Sequence, residues 1–91
     1  MNSSVPEMRP LARNVVVSED ELTVELADGR RISAPLVWFP RLLAAAAAER
    51  QDWELLGDGE GIHWPSVDED LSVAGLLAGA RSHSRPLRRA G

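Results

Sequence analysis

Leu22-Thr23-Val24-Glu25-Leu26-Ala27-Asp28-Gly29-Arg30-Arg31-Ile32-Ser33-Ala34-Pro35 is the stretch on which the fold turns. Leu22, Val24 and Leu26 alternate with Thr23 and Glu25, which is the two-residue period of a strand with one buried and one wet face. Asp28-Gly29 supplies the positive φ angles of a tight hairpin turn, and residues 31–35 return as the next strand. Ile32 and Ala34 then share the apolar face of Leu22, Val24 and Leu26. Upstream, the valine run within residues 14–18 predicts another strand, with Glu19 and Asp20 in the intervening turn. A three-strand meander with one apolar face needs a cover.

Trp38-Phe39-Pro40-Arg41 starts that cover, because proline fits the first turn of a helix and the residues from Leu42 to Glu49 are good helix formers. The spacing predicts a helix over 39–50, with Phe39, Leu42, Leu43 and Ala46 as the stripe that lies on the sheet. Residues 53–56 read as a strand, Gly57-Asp58-Gly59-Glu60-Gly61 as its turn, and Ile62-His63-Trp64 as the returning partner. After Pro65, Ser72 is placed to cap a short helix carrying Val73, Leu76 and Leu77. A rival start is the capping box Ser66-Val67-Asp68-Glu69. The expected class is α+β: an antiparallel meander packed against one main helix, then a second hairpin and a short C-terminal helix.

At 91 residues the chain has room for one domain. Residues 1–10 are polar, hold two prolines and show no apolar period, so a flexible N-terminal arm is expected over 1–13 and a compact domain over 14–79. Residues 80–91 hold four arginines and little to bury, which predicts a flexible basic C-terminal tail. So small a core is marginal, and a homodimer is one way to enlarge it. Cysteine is absent, which excludes disulfides, thiolate metal sites and a cysteine nucleophile. The longest apolar run, residues 42–48, is far short of the roughly 20 residues that cross a bilayer, so a cytoplasmic protein with no membrane partner is expected.

The net charge of −4 conceals a division. Residues 15–78 hold thirteen carboxylates against Arg30, Arg31, Arg41 and Arg50, and lysine is absent from the chain. An acidic body repels nucleic-acid phosphate and attracts basic protein surfaces, so a protein partner is favoured. Nucleic acid would be met only through the basic tail or through a partner.

His63 is the one histidine within residues 14–79, and beside Asp58, Asp68 or Asp70 it has the chemistry of a base or a metal ligand. No nucleophile motif accompanies it, and a tight metal site wants three or four ligands. Neither catalysis nor a metal or other cofactor is therefore expected. Gly57, Gly59 and Gly61 alternate as in a phosphate loop, yet Asp58 and Glu60 would oppose a phosphate, so they read as hairpin turn. Asp68-Glu69-Asp70 lacks the twelve-residue pattern of a calcium loop and reads as a solvated acidic corner or a partner-facing patch. Trp38, Trp53 and Trp64 are expected at the edge of the core with their N–H groups on backbone; alternatively Trp38 or Trp64 is a binding anchor with Arg41 beside Trp38.

Asp28-Gly29-Arg30, the run from Pro35 to Leu43, Gly61-Ile62-His63-Trp64-Pro65, and Asp68-Glu69-Asp70-Leu71-Ser72-Val73 with Gly75-Leu76-Leu77 occur in that order. In this respect the chain resembles the small bacterial family called domain of unknown function 2442, over about residues 14–79. The resemblance implies a compact α+β domain and, for many members, one half of a two-gene toxin and antitoxin pair. Some members carry a DNA-binding helix-turn-helix; here only fourteen residues follow Leu77, too few for one. The expected function is thus a non-enzymatic, antitoxin-like binding module that covers a basic surface on a cognate protein, through Trp38, Arg41, His63, Asp68, Glu69 and Asp70. The alternatives are a DNA-associated transcriptional regulator that uses the basic tail, and an acidic decoy of nucleic acid.

Overall fold

The computed structural model describes residues 10–79. Strands β1 (Ala12–Val17), β2 (Glu21–Leu26) and β3 (Arg31–Pro35) form an antiparallel sheet in sequence order. Val24 pairs with Val15 and Ile32, and Leu22 with Val17 and Ala34, so the alternation in the sequence does deliver one apolar face. β1 begins at Ala12, ahead of the expected Asn14, because a bulge between Ala12 and Asn14 returns Ala12 to the buried side. In the β2–β3 turn only Gly29 takes a positive φ, 97°. Its N–H donates to the Leu26 carbonyl at 3.0 Å, and the Asp28 carboxylate accepts the Arg30 N–H at 3.0 Å.

The helix expected over 39–50 is broken into two single turns, α1 (Pro40–Leu43) and α2 (Ala47–Arg50), behind a 3-10 turn at Leu36–Trp38. Phe39 and Leu42 are buried as expected, but Leu43 and Ala46 face outward and Ala45 takes the inward place. The reason lies in who satisfies the backbone. In a continuous helix the Leu42 carbonyl would accept from Ala46; instead the Arg50 guanidinium donates to Leu42 O at 2.9 Å and to Leu43 O at 2.8 Å. The freed Ala46 N–H donates to Glu49 Oε1 at 2.8 Å. Alanine's propensity is too weak to resist this exchange in a segment with so little area to bury.

β4 (Glu54–Leu56), β5 (Gly61–Trp64) and β6 (Glu69–Ser72) make a second antiparallel sheet, again in sequence order, and α3 (Val73–Leu77) follows. The expected second hairpin is therefore a second meander. Glu69 starts a strand, which removes the capping box at Ser66, whereas Ser72 caps α3 by accepting the Gly75 N–H at 2.9 Å. The glycine-rich turn is a hairpin turn with Gly57 at φ 60° and Gly59 at φ 109°. It ties the two halves together, because the Ala12 N–H donates to Gly59 O at 2.7 Å, and it also receives α3, whose Val73 N–H donates to Glu60 O at 2.9 Å.

The inner faces of both sheets share one core with Leu36, Phe39, Leu42, Val73 and Leu76. Trp64 is wholly buried in it, its indole N–H donating to the Arg50 carbonyl at 3.0 Å, so it is a core residue and not an exposed anchor. Among the described residues no helix is long and apolar enough to cross a membrane. The arm up to residue 9 and the tail from residue 80 lie outside the described residues.

Candidate functional site

Alternation along the second sheet sends Leu55, Ile62, Trp64, Glu69 and Leu71 inward and leaves Glu54, His63 and Asp70 on the outer face. Register makes these three a row: Glu54 pairs with His63 on one side, and His63 with Asp70 on the other. His63 Nδ1 and Asp70 Oδ1 are hydrogen-bonded across the strands, with the imidazole a quarter exposed and the carboxylate two-thirds exposed. The next row, Leu56-Gly61-Ser72, carries no charge.

Asp68 closes the site from the turn ahead of β6, in a left-handed conformation at φ 55°. Arg41 reaches across from α1, donating to the Asp68 carbonyl and standing 3.9 Å from its Oδ2. The hydrogen bond that His63 donates to Asp70 pushes the His63 pKa above its ordinary 6.5, against some desolvation, and the negative charges of Asp70, Glu54 and Asp68 push the same way. An imidazole ringed by carboxylates is well placed to hold a proton.

The structure thus brings Arg41, His63, Asp68 and Asp70 together. Glu69 does not join them: strand alternation turns it inward beside Trp64, where its Oε2 is buried without a hydrogen-bond partner. Trp38 belongs to another neighbourhood, half-buried with its ring edge-on to Phe39 at 6.5 Å and 64°. Glu54 was missed by the sequence reading, although the signal was available, since a hairpin closed by Leu56 and Gly61 must set Glu54 opposite His63.

A histidine held by an aspartate can orient a proton, but the nearest hydroxyl in the row beyond, Ser72, is engaged as the α3 cap. Among the described residues no group of three or more side chains is arranged to hold a metal ion. A groove of about 490 Å³ is lined by Ala48, Glu49, Gln51, Asp52 and Ser66, none of which belongs to this row. Its carboxylates serve the fold, Glu49 on the Ala46 N–H and Asp52 on the Ser66 hydroxyl at 2.8 Å.

Two linked antiparallel meanders with a few short helices, and an acidic row on the second sheet, define a small α+β domain. The chain belongs to the family described as Protein of unknown function (DUF2442), whose model matches residues 12–82. A crystal structure of a protein of unknown function from Rhodospirillum rubrum is similar at 31% identity and a TM-score of 0.69, over 82% of this chain and 93% of that one. A solution structure of an uncharacterized protein from Chromobacterium violaceum shares the fold at 24% identity and a TM-score of 0.69, over 81% of this chain and 70% of that one. No curated protein matches the sequence.

Proposed function

We propose that this protein is a non-enzymatic binding module of the cytoplasm, an antitoxin-like partner that covers a basic surface on a cognate protein. One observation carries the reading: the outer face of the second sheet gathers Glu54, Asp68 and Asp70, and among the described residues the cations facing them are one guanidinium, Arg41, and the His63 imidazole. The remaining arginines of known role are committed elsewhere. Arg30 pairs with Asp28, Arg31 stands 3.9 Å from Glu25, and Arg50 holds backbone carbonyls. Surplus carboxylates on a flat, exposed sheet steer and orient a cationic protein, and nucleic acid would be reached only through that protein.

The test is co-purification with the product of the adjacent gene at about 0.15 M salt, where surface charges are already screened beyond roughly 8 Å. The expected complex weakens with added salt and is lost in the triple variant Glu54→Gln, Asp68→Asn, Asp70→Asn. A tagged protein that emerges alone, or a triple variant that binds as well as the wild type, overturns the reading.

A further inference from the structure

We propose that the Glu54-His63-Asp70 row is a proton-gated clasp: protonated His63 holds the surrounding carboxylates within the chain, and loss of that proton frees them for a cationic partner. The gating of binding rests on the docking reading above; the clasp itself does not. Its geometry is set by three strands. His63 lies on the central one, β5, with Glu54 in register on β4 and Asp70 in register and hydrogen-bonded on β6. Asp68 faces the row from the preceding turn, and Arg41 approaches that turn from α1. The neighbouring row of Leu56, Gly61 and Ser72 adds no titrating group.

These groups set the direction of the switch. With Glu54, Asp68 and Asp70 ionised and Arg41 charged, the face carries one net negative charge while His63 is protonated and two once it is neutral. The proton also joins the outer strands to the central one, because imidazolium attracts carboxylates on both sides. His63 titrates above its ordinary 6.5, so the proton's contribution to folding is fully present below that value and is lost as pH rises through the folded-state pKa. As pH rises through that folded-state value the site therefore exchanges internal cohesion for external charge.

The experiment uses the full chain, with hexa-arginine as the cationic probe at low salt. Wild-type affinity should rise about three-fold from pH 6 to pH 9, the effect of one charge at about 6 Å in water. His63→Gln should hold the high-pH affinity throughout, and His63→Arg the low. In parallel, NMR should place the His63 pKa above 6.5, Asp70→Asn should lower it, and His63→Gln should remove the fall in stability on the alkaline side. A His63 that titrates at or below 6.5, or a His63→Gln variant with the wild-type stability profile, overturns the clasp. Loss of peptide binding at every pH with the His63-linked stability profile intact overturns the docking reading and leaves the clasp standing.

Discussion

Both sheets consist of three antiparallel strands in sequence order, but their outer faces are finished differently. On the first, Thr23 and Ser33 share a hydrogen bond at 3.0 Å across β2 and β3, and Arg31 stands opposite Glu25 at 3.9 Å. Both are complementary cross-strand pairs, of the kind that stabilises a sheet face in water. On the second, Glu54 and Asp70 flank a single histidine, and Asp68 is added at the margin. The directly opposite pairs there are carboxylate and imidazole, so the row coheres while His63 is protonated and still leaves a surplus of negative charge on the face. The difference separates two tasks: the first sheet decides the fold, while the second carries the unbalanced charge.

The largest effect should come from cutting the joint between the sheets. Gly59 has φ 109°, and a Cβ there would sit 2.4 Å from the Ala12 carbonyl oxygen, closer than atoms can approach. The obstacle is backbone, so it cannot swing away. Gly59→Ala should cost about 3 kcal/mol from positive-φ strain and the displaced β1 contact, measured by urea denaturation. A cost below about 1 kcal/mol would mean that the sheets do not depend on this joint. Arg50→Ala comes next. It strips donors from Leu42 and Leu43 and should cost about 2 kcal/mol, read as a Tm fall of roughly 10 °C. Arg50→Lys should recover only part of it, because one ammonium lacks the fork that spans two carbonyls.

The first sheet was legible because its information is local: a period of two, an Asp-Gly turn and a matching return strand. The Ser72 cap was legible for the same reason. What failed depended on contacts beyond the local pattern. Residues 44–48 have the composition of a helix, and nothing nearby shows that Arg50 will take the carbonyls that the helix needs. Residues 69–72 are acidic and short, so β6 becomes evident only once β5 offers an edge to pair with. That missed strand also hid the fate of Glu69, which reads as surface in a run of acids and turns inward by alternation. At the candidate site, Arg41, His63, Asp68 and Asp70 were anticipated from residue type, whereas Glu54 required the register.

Glu69 gives a smaller prediction of opposite sign, confined to the second sheet. Its Oε2 is buried without a partner while Trp64 and Leu71 occupy the same face. Replacing an unanswered buried oxygen by hydrocarbon removes a desolvation penalty, so Glu69→Leu should stabilise the domain by about 1–2 kcal/mol. Chemical denaturation at neutral pH measures it. A loss of stability instead would show that this carboxylate supports the sheet.

The smallest effect distinguishes the halves by pH. Asp28, in the turn of the first sheet, has its pKa held below the ordinary 3.8, chiefly because it accepts the Arg30 N–H; desolvation opposes this and the Arg30 guanidinium adds to the lowering. A depressed carboxylate contributes stability above its unfolded value, and that contribution disappears as pH falls through the folded one. His63, in the second sheet, is raised, so its contribution disappears in the opposite direction, as pH climbs above 6.5. Asp28→Asn should therefore flatten only the acid limb of the stability profile, and slightly, since the group is exposed and screened. His63→Gln should flatten only the alkaline limb. If each substitution leaves the other's limb intact, the sheets titrate independently, and the charge on the second can change without loosening the hairpin that fixes the fold.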